Sequence, residues 1–139
     1  MRLRGLHHLT AICRDLERSI AFYRDVLGLP IVRDEPSDDD PDARHVWFDC
    51  GDGTFVTFME YGRLPDGVVG IGSTHHFALR VETHDELQAW RDYLRERGVE
   101  CTEVLDRGAF HSIYLRDPDD HVVEIATRGP GFGAGGPLA

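Results

Sequence analysis

A chain of 139 residues, 41% of them apolar, can bury one real core but not two large ones. Its formal net charge of −10, with no Lys/Arg cluster, excludes a nucleic-acid partner, because such binding rests on neutralising phosphates. No run of about 18 apolar residues and no signal-peptide h-region is present, so no membrane is expected, and three scattered cysteines without a CxxC fit a cytoplasmic protein.

Residues 3–13 alternate well enough for a strand. Asp15 is placed to cap a helix with the apolar stripe Leu16, Ile20, Tyr23 and Leu27; Gly28 suits a left-handed C-cap and Pro30 blocks continuation. Ile31-Val32 starts a second strand, and Asp34–Asp42 is expected to be a solvated, mobile acidic loop. His45–Cys50 and Thr54–Met59 flank Gly51-Asp-Gly53 and predict a hairpin. Residues 61–73, with four glycines and Pro65, predict a linker.

The order then repeats. A strand over 74–82 precedes Thr83-His-Asp-Glu86, a capping box, and a helix burying Leu87, Trp90 and Leu94 before Gly98. Strands are predicted at 99–105, 110–116 and 121–127, and the Gly/Pro-rich residues 129–139 predict a flexible tail. The expected fold is α+β: one domain of two βαβββ modules, 3–60 and 74–128, forming a concave mixed sheet with the helices on the convex face. A shift of 68 positions lays His8 on His76 and Phe22 on Trp90.

A histidine kept at one place in both modules makes a metal the first chemistry to consider. Two imidazoles and one carboxylate on one face leave positions open for substrate and oxygen. His8 and His76 supply the imidazoles. Glu124 is the candidate carboxylate, because a charge inside Val122-Val-Glu-Ile-Ala126 needs a reason to be there. A three- or five-residue loop centred on Asp119 puts Tyr114 opposite Glu124 and Asp120 in a left-handed conformation. His7 and His111 are candidates for moving protons near neutral pH.

His8-Leu-Thr, Asp15–Gly28 and Asp117-Pro-Asp-Asp-His-Val-Val-Glu124 resemble the vicinal oxygen chelate superfamily over about residues 3–130. That superfamily includes glyoxalase I, fosfomycin-resistance transferases, bleomycin-binding proteins and extradiol dioxygenases. Gly5–Thr10, His75-His-Phe-Ala, Ser112–Pro118 and Glu124–Phe132 are similar to hydroquinone ring-cleaving dioxygenases. The resemblance implies metal ligands His8, His76 and Glu124 around Fe(2+), with Mn(2+) or another divalent metal as the alternative. It implies a small aromatic substrate, O2, and His7, Arg107 and Tyr114 around the substrate. It also implies a homodimer whose site is shared between chains.

Three features depart from that pattern. Those dioxygenases are about twice as long, Asp120 replaces the usual turn glycine, and His7 faces away from His8 in a regular strand. Other members keep alternative functions open: a non-catalytic aromatic or drug-binding module, or a thiol-dependent metalloenzyme of glyoxalase or fosfomycin type. Glyoxalase I takes a further carboxylate from module one, where this chain has Thr57, with Glu60 on the other face. A phosphonate clamp wants cations in a basic pocket, and neither Arg107 nor Arg116 of module two resembles a ready one.

Overall fold

The structure is a computed structural model and describes residues 1–133, 135 and 136. The chain forms two compact units, Met1–Gly67 and Val68–Ala139, each an α+β module with a four-stranded mixed sheet. In the first, β1 (His8–Cys13), β2 (Ile31–Pro36), β3 (Arg44–Asp49) and β4 (Phe55–Glu60) lie in the order β1-β4-β3-β2. In the second, β5 (Phe77–Val81), β6 (Leu105–Asp106), β7 (His111–Arg116) and β8 (Val122–Thr127) repeat it as β5-β8-β7-β6. The first strand of each module runs parallel to the last, and the remaining pairs are antiparallel.

The first helix, α1 (Leu16–Ile20), begins as its sequence predicts: the Asp15 side chain accepts from Glu17 N–H. Glu60 Oε2 accepts from Leu16 N–H at 2.7 Å, so that carboxylate serves the helix start. The helix continues as a π-helical turn, Ala21–Val26, with Leu27 N–H donating to Phe22 O. In an α-helix adjacent side chains diverge by about 100°; here Phe22 and Tyr23, though adjacent, are both buried. Tyr23 stacks on Phe48 and, at 4.7 Å between centroids, on Phe58, which makes the aromatic core of this unit.

In the second unit the capping box is complete: Glu86 N–H donates to Thr83, and Thr83 N–H donates to Glu86. The helix α2 (His84–Glu96) buries Leu87 and Leu94, but Trp90 is only half-buried and meets Tyr93 edge-on. Tyr114 pairs with Glu124 across a five-residue loop, and Asp120 adopts φ +66°.

Several expectations need correction. β1 starts at His8 rather than at residue 3, and β5 starts after His76. The strand expected over 99–105 shrinks to a bridge at Cys101 and the two residues of β6. The reason is local: Tyr114 N–H donates to the Thr102 hydroxyl, which takes the place of a ladder carbonyl. The acidic segment is held in place. Asp34–Pro36 belongs to β2, Arg44 forks onto Asp34 and reaches Glu17, and Tyr61 O–H donates to Asp40. Hydrogen bonding to Asp34 and Glu17 raises the Arg44 pKa well above its ordinary value. Of the tail, Gly131 N–H donates to Ala109 O and Phe132 meets Phe110 at 4.9 Å. Residues 134 and 137–139 lie outside the described residues.

The last loop carries a pH-dependent contact. Buried Asp117 accepts from the N–H groups of Asp119 and His121 and pairs with His121 Nδ1 at 2.7 Å. The Asp117 hydrogen bond raises the His121 pKa, against burial, which lowers it. A raised folded pKa stabilises fully below the unfolded value of about 6.5 and loses that contribution as pH rises through the folded value. In an NMR titration the His121 midpoint is expected above 6.5, the ordinary value, and Asp117→Asn is expected to bring it down to that value or below. A wild-type midpoint already at or below it would remove the pair's role.

Candidate metal centre

In the second unit, His76 immediately precedes β5, and Glu124 sits in β8 between Ala78 of β5 and Tyr114 of β7. His76 Nε2 is 3.0 Å from Glu124 Oε2. The other oxygen, Oε1, is buried without a hydrogen-bond partner in a residue only 3% exposed. An orphaned carboxylate oxygen beside an imidazole is costly unless a cation or donor takes it. The donor set fits a divalent ion that accepts nitrogen and oxygen ligands. His75 and His76 approach Nδ1 to Nδ1 at 2.8 Å, so one ring donates to the other and sets its tautomer.

Tyr114 and Arg107 border this pair. The Tyr114 ring lies 5.6 Å from the His76 ring, and Arg107 Cζ lies 5.2 Å from the Tyr114 centroid. Arg107 N–H donates to Phe110 O, closing the loop that follows β6, and Gly108 takes φ +79° there. Ser112, two residues from Tyr114 and so on the same face of β7, also has a buried hydroxyl with no partner. Four predicted residues of this unit thus come together: His76, Glu124, Tyr114 and Arg107. His111 does not join them. Three positions from Tyr114, it faces the other side of β7, and its ring meets His84 of α2 at 4.8 Å.

In the first unit, His8 opens β1, and His7 lies just outside that strand. Their Nδ1 atoms are 2.8 Å apart, the same contact as between His75 and His76. Leaving the strand removes the alternation that would have turned His7 away. Thr57 pairs with Thr10 and Trp47, as Glu124 pairs with Ala78 and Tyr114, so it occupies the place of the carboxylate in the repeat.

The first unit also holds residues that the sequence reading passed over. Trp47, the counterpart of Tyr114, lies 5.2 Å from the His8 ring and 4.9 Å from the His45 ring. His45 Nε2 is 2.8 Å from Thr57 Oγ1. Burial, then the charges of Arg33 and His8, lowers the His45 pKa. Carrying Tyr114 back through the repeat would have marked Trp47. Among the described residues, no three His, Cys, Asp or Glu side chains meet as a metal-binding cluster.

Comparison with known proteins adds three findings. Residues 5–125 match the model of the Glyoxalase/Bleomycin resistance protein/Dioxygenase superfamily. Among curated proteins, the chain is 26% identical to MhqA of Bacillus subtilis, provisionally named a ring-cleaving dioxygenase, over 99% of this chain and 45% of MhqA. It is 28% identical to the metallothiol transferase FosB of Staphylococcus haemolyticus, over 90% of this chain and 84% of FosB. Among solved structures, a provisionally named dioxygenase of Bacillus subtilis superposes with TM-score 0.81 at 30% identity, over 91% of this chain and 41% of that one. The chain spans less than half the length of these Bacillus relatives.

Proposed function

The chain belongs to the Glyoxalase/Bleomycin resistance protein/Dioxygenase superfamily, and from that membership we propose that it is a divalent-metal-dependent ring-cleaving dioxygenase acting on a small phenol. The observation that carries this reading is the His76–Glu124 pair, with its orphaned Oε1, facing Tyr114 and Arg107. The likeness to MhqA supports the reaction class.

His8, His76 and Glu124 would hold Fe(2+) or Mn(2+). When bound, such an ion supplies Lewis acidity and a template for two reactants. The chain's own groups do the rest. The Tyr114 hydroxyl and the Arg107 guanidinium hydrogen-bond the phenolic oxygens and stabilise negative charge that develops there. With His8 as a ligand, its Nδ1–H would donate to His7 Nδ1 across the 2.8 Å contact, and the His7 Nε2–H would be the proton available to a substrate oxygen. Protein loaded with Fe(2+) under anaerobic conditions, then given O2 with hydroquinones or catechols, is expected to consume O2 in step with loss of aromatic absorbance. Iron-loaded protein that turns over none of them would sink the reading.

The match over 84% of FosB favours a second reading, thiol transfer on the same ligands. Loss of free thiol, with no O2 uptake, would identify it.

We further propose a homodimer in which His8 of one copy serves His76 and Glu124 of the other. Mixing His8→Ala and Glu124→Ala chains then rebuilds one intact site per mixed dimer, about a quarter of wild-type activity after random reassociation. Sites contained within one chain would give none.

A further inference from the structure

On the sheet face that carries His8, the first unit presents a second constellation centred on Trp47. Its ring lies 5.2 Å from His8, 4.9 Å from His45 and 6.4 Å from Phe55, between centroids. Arg33 Cζ stands 5.5 Å over it, and the same guanidinium pairs with Glu35. Alternation puts His45, Trp47 and Thr57 on this face, while Val46, Phe48 and Phe58 supply the core beneath. The core therefore does not account for the aromatic cluster.

With the Thr57 hydroxyl donating to Thr10, His45 takes the tautomer that donates to Thr57. The Thr57 hydroxyl donates to Thr10 Oγ1 at 2.7 Å, and a hydroxyl has one proton to give. In the 2.8 Å contact with Thr57, His45 Nε2–H is then the donor. A neutral ring protonated at Nε2 carries its lone pair on Nδ1. Neither His45 Nδ1 nor the Trp47 indole N–H has a hydrogen-bond partner among the described residues.

We propose that His45 Nδ1 and the Trp47 indole N–H recognise the hydroxyl of a neutral aromatic ring, and so select hydroquinone-type substrates over oxyanions such as phosphonates. The location of this subsite beside His8 ties the inference to the ring-cleavage reading. A lone pair attracts a phenol O–H and repels an anionic oxygen, and Glu35 neutralises the Arg33 guanidinium that would otherwise draw an anion to this face. The indole N–H donates to the phenol oxygen, and the surrounding rings favour an aromatic body by offset or edge packing.

The chain has two tryptophans, so Trp90→Phe leaves Trp47 as the only one. That protein is titrated anaerobically with hydroquinone, 1,4-dimethoxybenzene and methylphosphonate while Trp47 emission is followed. Saturable quenching by hydroquinone is expected, about 10-fold tighter than by the dimethoxy compound, with no response to methylphosphonate. His45→Phe keeps a ring but loses Nδ1; it should weaken hydroquinone about 10-fold and erase the preference over the dimethoxy compound. Thr57→Val keeps His45 but releases its tautomer, and gives a smaller loss in the same direction.

Unchanged hydroquinone affinity in His45→Phe, or methylphosphonate binding tighter than hydroquinone, would overturn the proposal. If His45→Phe fails to fold, unchanged affinity in Thr57→Val, or a lack of preference in the parent, does so instead. O2 uptake on the same preparations separates the two ideas. His45-dependent binding without turnover sinks the dioxygenase reading alone. Turnover with an unchanged KM in His45→Phe sinks the recognition site alone.

Discussion

Glu124→Gln is expected to weaken metal binding by at least about 100-fold, more than the loss of a group that merely orients a ligand, and to abolish turnover with it. The same change should leave the metal-free protein as stable as wild type or more so. Glu124 carries a buried oxygen with no hydrogen-bond partner, and a neutral amide removes the charge while keeping the shape. The two effects have opposite signs, which separates a ligand from a structural residue. Adding metal at about 100 times the wild-type dissociation constant should stabilise wild type by about 2.7 kcal/mol and Glu124→Gln by no more than about 0.4 kcal/mol. Thermal melts with and without metal read this directly. A variant that melts far below metal-free wild type would show Glu124 to be a structural group.

The largest purely structural loss is expected at Phe58. Its ring is fully buried, 4.7 Å from Tyr23 and 6.2 Å from Phe48, between centroids. Truncation to Ala removes the aromatic surface and leaves a cavity that β4, paired on both sides, is poorly placed to fill. A loss of about 3–5 kcal/mol is expected, lowering the melting temperature on the order of 10 °C. Denaturant unfolding measures it. A loss below about 1 kcal/mol would mean that the cluster relaxes around the gap.

What was legible in the sequence was chemistry acting over a few residues. Asp15 caps α1, Thr83 and Glu86 form the capping box, and Asp120 takes the left-handed turn position, because each depends on its own side chain and nearby backbone. The pairing of Tyr114 with Glu124 followed from loop length and alternation. The strand over 99–105 was not legible, because its apolar pattern says nothing of a Thr102 hydroxyl that captures a ladder N–H. The π-helical turn is likewise hidden: an ordinary helical stripe accommodates Tyr23, and only packing shows that Phe22 is buried beside it.

The candidate site divides the same way. Glu124 drew attention because a carboxylate stands out in an apolar run. His45 and Trp47 did not, since an aromatic hairpin arm reads as core until its faces are known. His111 was chosen for its chemistry, and the face it takes on β7 follows from counting alternate positions from Tyr114.

The short β6 and the charged β2 have a consequence for the life of the protein in concentrated solution. Both are last in the order of their sheets, where unpaired backbone groups invite a foreign strand. β6 offers only two residues, and β2 presents Arg33, Asp34 and Glu35 in succession. These two rims resist fibril-like growth by strand addition. The chain can thus carry an aromatic cluster and orphaned buried polar atoms without leaving those rims open to polymerisation.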